Sequence, residues 1–317
     1  MRISPVRIAA IDLGTNSFHL FIAKLKTNGK LKLLERQREL IRLGSLQLPD
    51  GNIITRDEID KAIQILKNFK TLAAYHSSRI RAVATSAVRE AINHKEFINE
   101  IFKTTGILVE PIEGKVEGTL IFNGVKNALP TKDNNVLCID IGGGSTEFVL
   151  AEKDEPVFTE SIKIGAVRLM KKYFQDSIIT DAAIEQCSID VEKQIKQNNN
   201  IIYEHPFDFA IGTSGTIATV CLIKYYQYNT KKMNSLNGFS FSAEQFEEIY
   251  ERVMNLKTPQ ERSKVIGIDS IRADIIPAGF IILKKSFELF KIKKMVFSGY
   301  ALREGMVYDS INKSNLF

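Results

Sequence analysis

Cysteine is scarce: three residues in 317, at positions 138, 187 and 221, with no CxxC pair among them. They are scattered rather than framed for disulfides. Cys138 and Cys221 sit in apolar runs and read as core thiols. A reducing cytoplasm is the expected compartment. Long apolar runs are missing too. None approaches the roughly 20 residues that a bilayer span needs, and the opening MRISPVRIAAIDLG enters strand-like sequence with no apolar leader before it. No membrane partner is expected. No RGG tract, RNA-binding signature or zinc motif accompanies the net charge of +6, so no nucleic-acid partner is expected either. The positive balance reads as lysine-rich usage, or as a field that draws in a smaller polyanion such as a nucleotide or polyphosphate. There is also no GxxxxGK[ST] and no G-x-G-x-x-G opening a helix, which removes both common phosphate-loop fingerprints.

What is present is a globular composition, 44% hydrophobic and 25% charged, over a length sufficient for two domains with sizeable cores. The chain is also internally repetitive. IAAIDLGTNSFHLFIA (8–23) aligns without a gap on VLCIDIGGGSTEFVLA (136–151). Ile11/Ile139, Asp12/Asp140, Gly14/Gly142, Ser17/Ser145 and Ala23/Ala151 coincide, and the apolar positions agree in character. Each copy reads as strand, tight polar turn, strand, so a duplicated domain is expected. After the first hairpin, TRDEIDKAIQILKNFKTLAAYH (55–76) opens with the capping box Thr55-x-x-Glu58 and places Ile59, Ile63, Leu66 and Phe69 on one helical face. A strand over 79–85, a helix ending near Gly106, a strand over 107–112 and a helix over 115–129 follow. The second half repeats the theme, with helices at 165–174 and 180–197, a strand FDFAIG leading into a helix, and a capping box at Ser242-x-x-Gln245. QNNN (197–200) reads as a loop and ALPTKDNN (128–135) as the boundary between halves. The alternation of strands and helices predicts an α/β fold.

Three turns combine glycine with hydroxyls: DLGTNS (12–17), DIGGGSTE (140–147) and GTSGT (212–216). Three glycines in a row are costly in regular structure, so they mark backbone that bends sharply or approaches something closely. Backbone N–H groups in such turns form concave anion nests, and the hydroxyls add donors. Asp12, Asp140 and Glu147 are acceptors suited to a hard cation, because Mg²⁺ is usually held by one or two carboxylates plus substrate phosphates.

The sequence resembles the superfamily of actin, Hsp70-type ATPases and sugar kinases, in which two duplicated ribonuclease-H-like domains clamp phosphates between them. More specifically it resembles the Ppx/GppA family of exopolyphosphatases and guanosine pentaphosphate phosphohydrolases. AIDLGTNSFHLFIA, ATSAVREA, GKVEGTLIFNGV, IDIGGGSTEFVL, IGTSGTIA, RADIIPAG and ALREG carry the resemblance, over nearly the whole chain. It implies two ribonuclease-H-like domains with an interdomain active-site cleft. The first spans 1–127 plus 299–317, the latter a returning helix, and the second spans 128–298. Longer members append helical domains, one related to HD phosphohydrolases. None of the four His here is followed by Asp, so the short two-domain type is expected.

The resemblance also implies roles. The catalytic carboxylate falls on Glu117, in Glu117-Gly118-Thr119, where Thr119 stands in place of the family's common Arg. Glu113 is nearby, and the downstream LIFNGV fixes the register on Glu117. Asp12, Gly14, Thr15, Asn16 and Ser17 line a first phosphate loop, Gly142, Gly143, Gly144 and Ser145 a second, and Gly212, Thr213, Ser214, Gly215 and Thr216 a further turn. Arg89 is a phosphate contact by the same token, and Arg suits bidentate phosphate binding. Lys163 and Arg168 lie in another matching segment and are assigned to a longer substrate or to solvent. His19 is expected to be a packed or hydrogen-bonded hairpin residue, and Arg272 and Asp274 structural partners. Asp140 and Glu147 are the expected ligands of Mg²⁺ or another divalent cation such as Mn²⁺.

The expected reaction is hydrolysis of the terminal phosphoanhydride of inorganic polyphosphate, of guanosine pentaphosphate, or of both, by a monomer or homodimer. It would connect the chain to the stringent response. Two alternatives differ in class: a small-molecule kinase of the same superfamily, which depends on an acceptor, and a weakly active sensor of (p)ppGpp or polyphosphate, which binds without turnover.

Overall fold

The computed structural model describes residues 6–44, 46–48, 51–174, 177–231 and 233–314. The chain divides into two compact units, Met1–Asn127 together with Leu302–Phe317, and Ala128–Ala301.

The first unit opens with β1 (Arg7–Leu13), β2 (Ser17–Leu25) and β3 (Leu31–Leu40), followed by a small ribbon of β4 (Leu46–Leu48) and β5 (Gly51–Ile53). Then come α1 (Arg56–Tyr75), β6 (Arg79–Ala84), α2 (Ser86–Arg89), α3 (His94–Thr105), β7 (Val109–Pro111) and α4 (Gly114–Val125). Its five-stranded sheet runs β3-β2-β1-β6-β7, with β1 antiparallel to β2 and parallel to β6. The near-continuous apolar run of β1 follows from its central place in the sheet, covered on both faces. The capping box at Thr55 starts α1, whose Ile59, Ile63, Leu66 and Phe69 enter a core shared with Ile11, Phe18 and Phe97.

The second unit contains β8 (Asn135–Ile141), β9 (Thr146–Glu152), β10 (Glu155–Ile162), α5 (Ala166–Tyr173), α6 (Asp181–Asn198), α7 (Asn200–Glu204), β11 (Phe209–Thr213) and α8 (Ser214–Tyr228). It continues with β12 (Ser240–Ser242), α9 (Ala243–Met254), α10 (Pro259–Arg262), α11 (Ile276–Phe290) and β13 (Lys294–Phe297). Its sheet runs β10-β9-β8-β11-β13-β12. The first five positions reproduce the order and strand directions of the first sheet, the ribonuclease-H-like arrangement, with β12 added at the edge. Its core gathers Phe148, Phe241, Phe246, Phe280 and Phe287.

The chain then returns to the first unit as α12 (Leu302–Ser314). A Cβ on Gly305 would overlap the Leu120 carbonyl, so only glycine lets α12 lie this close to α4. Arg81 of β6 ties the far end by pairing with Asp309 at 2.5 Å. Two sequence readings change. QNNN is not a loop but the junction of two helices, with Asn199 between α6 and α7. The third strand of each unit, β3 and β10, has no counterpart among the sequence expectations.

Candidate active site

Each unit places its glycine turn at the end of its central strand. In the second unit the turn joins β8 to β9, and Asp140 and Glu147 are directly opposed across the ladder. All three glycine carbonyls of this turn are occupied. Gly142 O accepts from Ala166 N at 2.9 Å, Gly143 O from Val167 N at 2.9 Å and Arg168 N at 3.1 Å, and Gly144 O from Arg168 Nε at 2.8 Å. The first turn of α5 thus occupies the glycine carbonyls of the loop. What remains to face a ligand is backbone N–H from Gly143 onward, since Gly142 N donates to Ser145 O at 3.0 Å. Gly165 makes this possible: a Cβ there would overlap the Gly143 carbonyl and Gly144. None of the three loop glycines has a positive φ. They serve close approach, and not a left-handed bend.

The first unit handles its turn in a like way by another route. Asn16 O accepts from Ile41 N and Arg42 N, each at 3.1 Å, and Thr15 O from Leu43 N at 2.9 Å. Here the segment after β3 does the work that α5 does in the second unit. The Asn16 side-chain Oδ1 is buried with no hydrogen-bond partner among the described residues. An orphaned acceptor of this kind is costly unless a ligand or water meets it.

Asp140 and Glu147 are 8% and 2% exposed. Asp140 accepts from the Thr213 hydroxyl. Glu147 Oε1 accepts from Ser145 Oγ and Ser161 Oγ, both at 2.7 Å. Burial, reinforced by these two carboxylates, pushes the adjacent Cys138 thiol well above its ordinary range. Among the described residues no three His, Cys, Asp or Glu side chains form a ready metal cage. Two buried carboxylates beside an anion nest nevertheless match Mg²⁺, which takes few protein ligands and completes its shell with phosphate and water. The donor set fits such a cation.

The third turn begins at the end of β11. Ser214 lies at φ 70°, in the left-handed region, and its hydroxyl donates to Ile141 O at 2.7 Å. Together with Thr213 on Asp140, this bond latches the turn to the end of β8. Gly212 is in β11, and Gly215 and Thr216 open α8. The guanidinium of Arg272 lies where a Cβ on Gly215 would be.

Glu117 is in the first turn of α4 and 6% exposed. Arg89 Nη1 donates to it at 3.2 Å and to Ile112 O at 2.7 Å, which orients the carboxylate from the end of α2. Glu113, by contrast, is an exposed residue at the start of α4 with no side-chain cap bond. Thr119 is exposed and bonds its own helix at Lys115 O. His19 is hydrogen-bonded on both ring nitrogens, to Ser17 Oγ at 2.9 Å and to Arg303 Nη1 at 3.2 Å. Lys163 is exposed, whereas Arg168 is drawn into the second loop.

Sequence reasoning alone missed Gly165, the placing of Arg272 against Gly215, and the contact of Arg303 with His19. Each depends on residues far apart in the chain. The available signal was the position of each inside a motif: SIKIGAVRLM, RADIIPAG and ALREG.

Twin ribonuclease-H-like units with donor-rich glycine turns, one bearing a buried arginine-held glutamate, define a phosphate-handling protein of the α/β class. A family model described as the Ppx/GppA phosphatase family matches residues 22–314, and the chain belongs to that family. It is 30% identical over 303 residues to a provisionally named exopolyphosphatase of Haemophilus influenzae, covering 95% of this chain and 90% of that protein. It is 31% identical over 318 residues to the guanosine-5'-triphosphate,3'-diphosphate pyrophosphatase of Photobacterium profundum. That match covers 98% of this chain but 60% of the relative. The crystal structure of an exopolyphosphatase from Cytophaga hutchinsonii superposes with a TM-score of 0.89 at 28% identity, over 97% of this chain and 98% of that one.

Proposed function

We propose that this protein removes the terminal phosphoryl group of a linear phosphoanhydride, inorganic polyphosphate or guanosine pentaphosphate, with water as the nucleophile. The observation that carries this reading is the buried Glu117 carboxylate, oriented by Arg89. The names of the relatives supply the substrate class.

Phosphoryl transfer needs little covalent help; it needs an oriented nucleophile and stabilised charge. Glu117 positions water and takes its proton as the water oxygen bonds to the terminal phosphorus. The bridging P–O bond breaks and the shortened chain leaves as an anion. Thr15, Asn16, Ser17 and the backbone of Gly14 bind phosphoryl oxygens in the first loop. The backbone of Gly142 to Ser145 does so in the second, and Gly212 to Thr216 hold neighbouring phosphates. Asp12 orients water at the first loop. Arg89 adds positive charge beside the base. A divalent cation, Mg²⁺ or Mn²⁺, held by Asp140 and Glu147, would offset charge on the transferred group.

The test measures phosphate release from short and long polyphosphate, pppGpp and ATP, comparing wild type with Glu117→Gln. General-base catalysis typically contributes about 10²–10⁴-fold, and a loss in that range is expected. A loss below about tenfold would remove Glu117 from the mechanism. Release that requires an added acceptor would make the protein a kinase, and tight binding without release would make it a sensor.

A further inference from the structure

The duplicated hairpins preserve one hydrogen bond and change its direction. In the second unit Ser145 Oγ meets Glu147 Oε1 at 2.7 Å. In the first unit the equivalent Ser17 Oγ meets His19 Nε2 at 2.9 Å, because His19 occupies the position of Glu147. Each side chain stands two residues beyond its serine, opposite the carboxylate one residue before the end of the central strand, Asp12 or Asp140.

The direction of each bond follows from what the partners can do. A carboxylate only accepts, so the Ser145 hydroxyl hydrogen is directed onto Glu147. For His19 the tautomer is set from the other side of the ring. Arg303 Nη1 lies 3.2 Å from Nδ1, and a guanidinium has hydrogens to give and no lone pair to accept with. Nδ1 therefore accepts, the ring is neutral, and its single hydrogen is on Nε2. That hydrogen goes to Ser17 Oγ, whose own hydrogen is left to point elsewhere. Ser17 is 5% exposed and stands in the turn whose Thr15 and Asn16 carbonyls are already occupied.

We propose that Arg303 and His19 are positioning residues that make Ser17 a hydroxyl donor to a phosphoryl oxygen, whereas Ser145 is turned away from that task by Glu147. The two loops share a backbone design and differ in hydrogen polarity. The first is equipped to grip an anion with a side-chain donor; the second offers backbone N–H groups, and its serine presents lone pairs. This inference rests on the phosphate-binding reading given above.

Two measurements test it. Long-range ¹⁵N–¹H spectra of ¹⁵N-histidine-labelled protein identify the tautomer of His19, assigned by loss of its signals in His19→Gln. A neutral ring with hydrogen on Nε2 is expected; hydrogen on Nδ1, or a doubly protonated ring at neutral pH, overturns the proposal. Calorimetry with tripolyphosphate in EDTA then compares wild type, Ser17→Ala, His19→Gln, His19→Glu and the double variant of Ser17→Ala with His19→Glu. Ser17→Ala should weaken binding about tenfold or more, as for one hydrogen bond to a charged partner. His19→Gln, which can accept from Arg303 and donate to Ser17, should stay within about threefold of wild type. His19→Glu recreates the second loop in the first, so adding Ser17→Ala to it should cost less than about twofold. If Ser17→Ala is silent in wild type, or equally costly in both backgrounds, the donor role falls. Failure of wild type to bind tripolyphosphate both in EDTA and with Mg²⁺ present would sink the functional reading itself, and the tautomer result would stand apart from it.

Discussion

Gly165 shows how much of this site depends on single atoms that are missing. Its absent Cβ lets the first turn of α5 reach the carbonyls of Gly142, Gly143 and Gly144. Gly165→Ala must displace either the loop or the helix. Overpacking of this kind typically costs about 1–3 kcal/mol, and we expect a loss of that size in thermal or denaturant unfolding, with slower phosphate release. Unchanged stability and activity would show that the contact does not hold the loop. The glycine run was legible in the sequence as a site of close approach. Its partner was not, because Gly165 lies on the far side of β9 and β10 and no local pattern joins the two segments. The Arg89–Glu117 pair illustrates the same limit. Both residues stood inside recognisable motifs, but the 3.2 Å bond between them is a product of folding.

At the scale of elements, the duplicated hairpins were readable because alternation and a shared Asp-x-Gly turn are local signals. β3 was not: LKLLERQREL is rich in residues with good helix propensity, and its strand state comes from pairing with β2. β3 and β10 matter because the segments after them occupy the loop carbonyls. The contacts of the helix α12 with the rest of the first unit include Arg303 to His19, Gly305 to α4, and Asp309 to Arg81. Burial raises the Asp309 carboxyl, but bonds from Lys313 and Arg81 outweigh it and hold the group below its ordinary value of 3.8. A carboxylate depressed in the folded state adds stability above its unfolded value, and that contribution disappears as pH falls through the folded one. Acid should therefore loosen the docking of α12 below about pH 4. Hydrogen exchange in α12, measured from pH 6 down to pH 3, should show this loss in wild type and a much flatter response in Asp309→Asn. Equal pH dependence in the two proteins would remove Asp309 as the cause.

For the whole molecule, all three cysteines belong to the second unit and all are buried. Burial is the main cause that pushes Cys187 and Cys221 up to about 12. Native protein at pH 8 should therefore resist thiol-specific reagents, and the three thiols should become reactive together as the second unit unfolds. A thiol labelled rapidly under native conditions would contradict the closed core described for that unit. Labelling followed by mass spectrometry thus gives an unfolding readout confined to one half of the chain.

The placement of α12 also bears on how the protein is made. On the ribosome α4 is synthesised before the second unit, but the helix that packs on it is synthesised only after the whole of that unit. At about 5–20 residues per second, that interval is on the order of ten seconds or more. Through that time α4, with Glu117 in its first turn, waits without its packing partner. The half translated first is the last to be finished, because the face of α4 that α12 covers stays open until translation has passed the second unit.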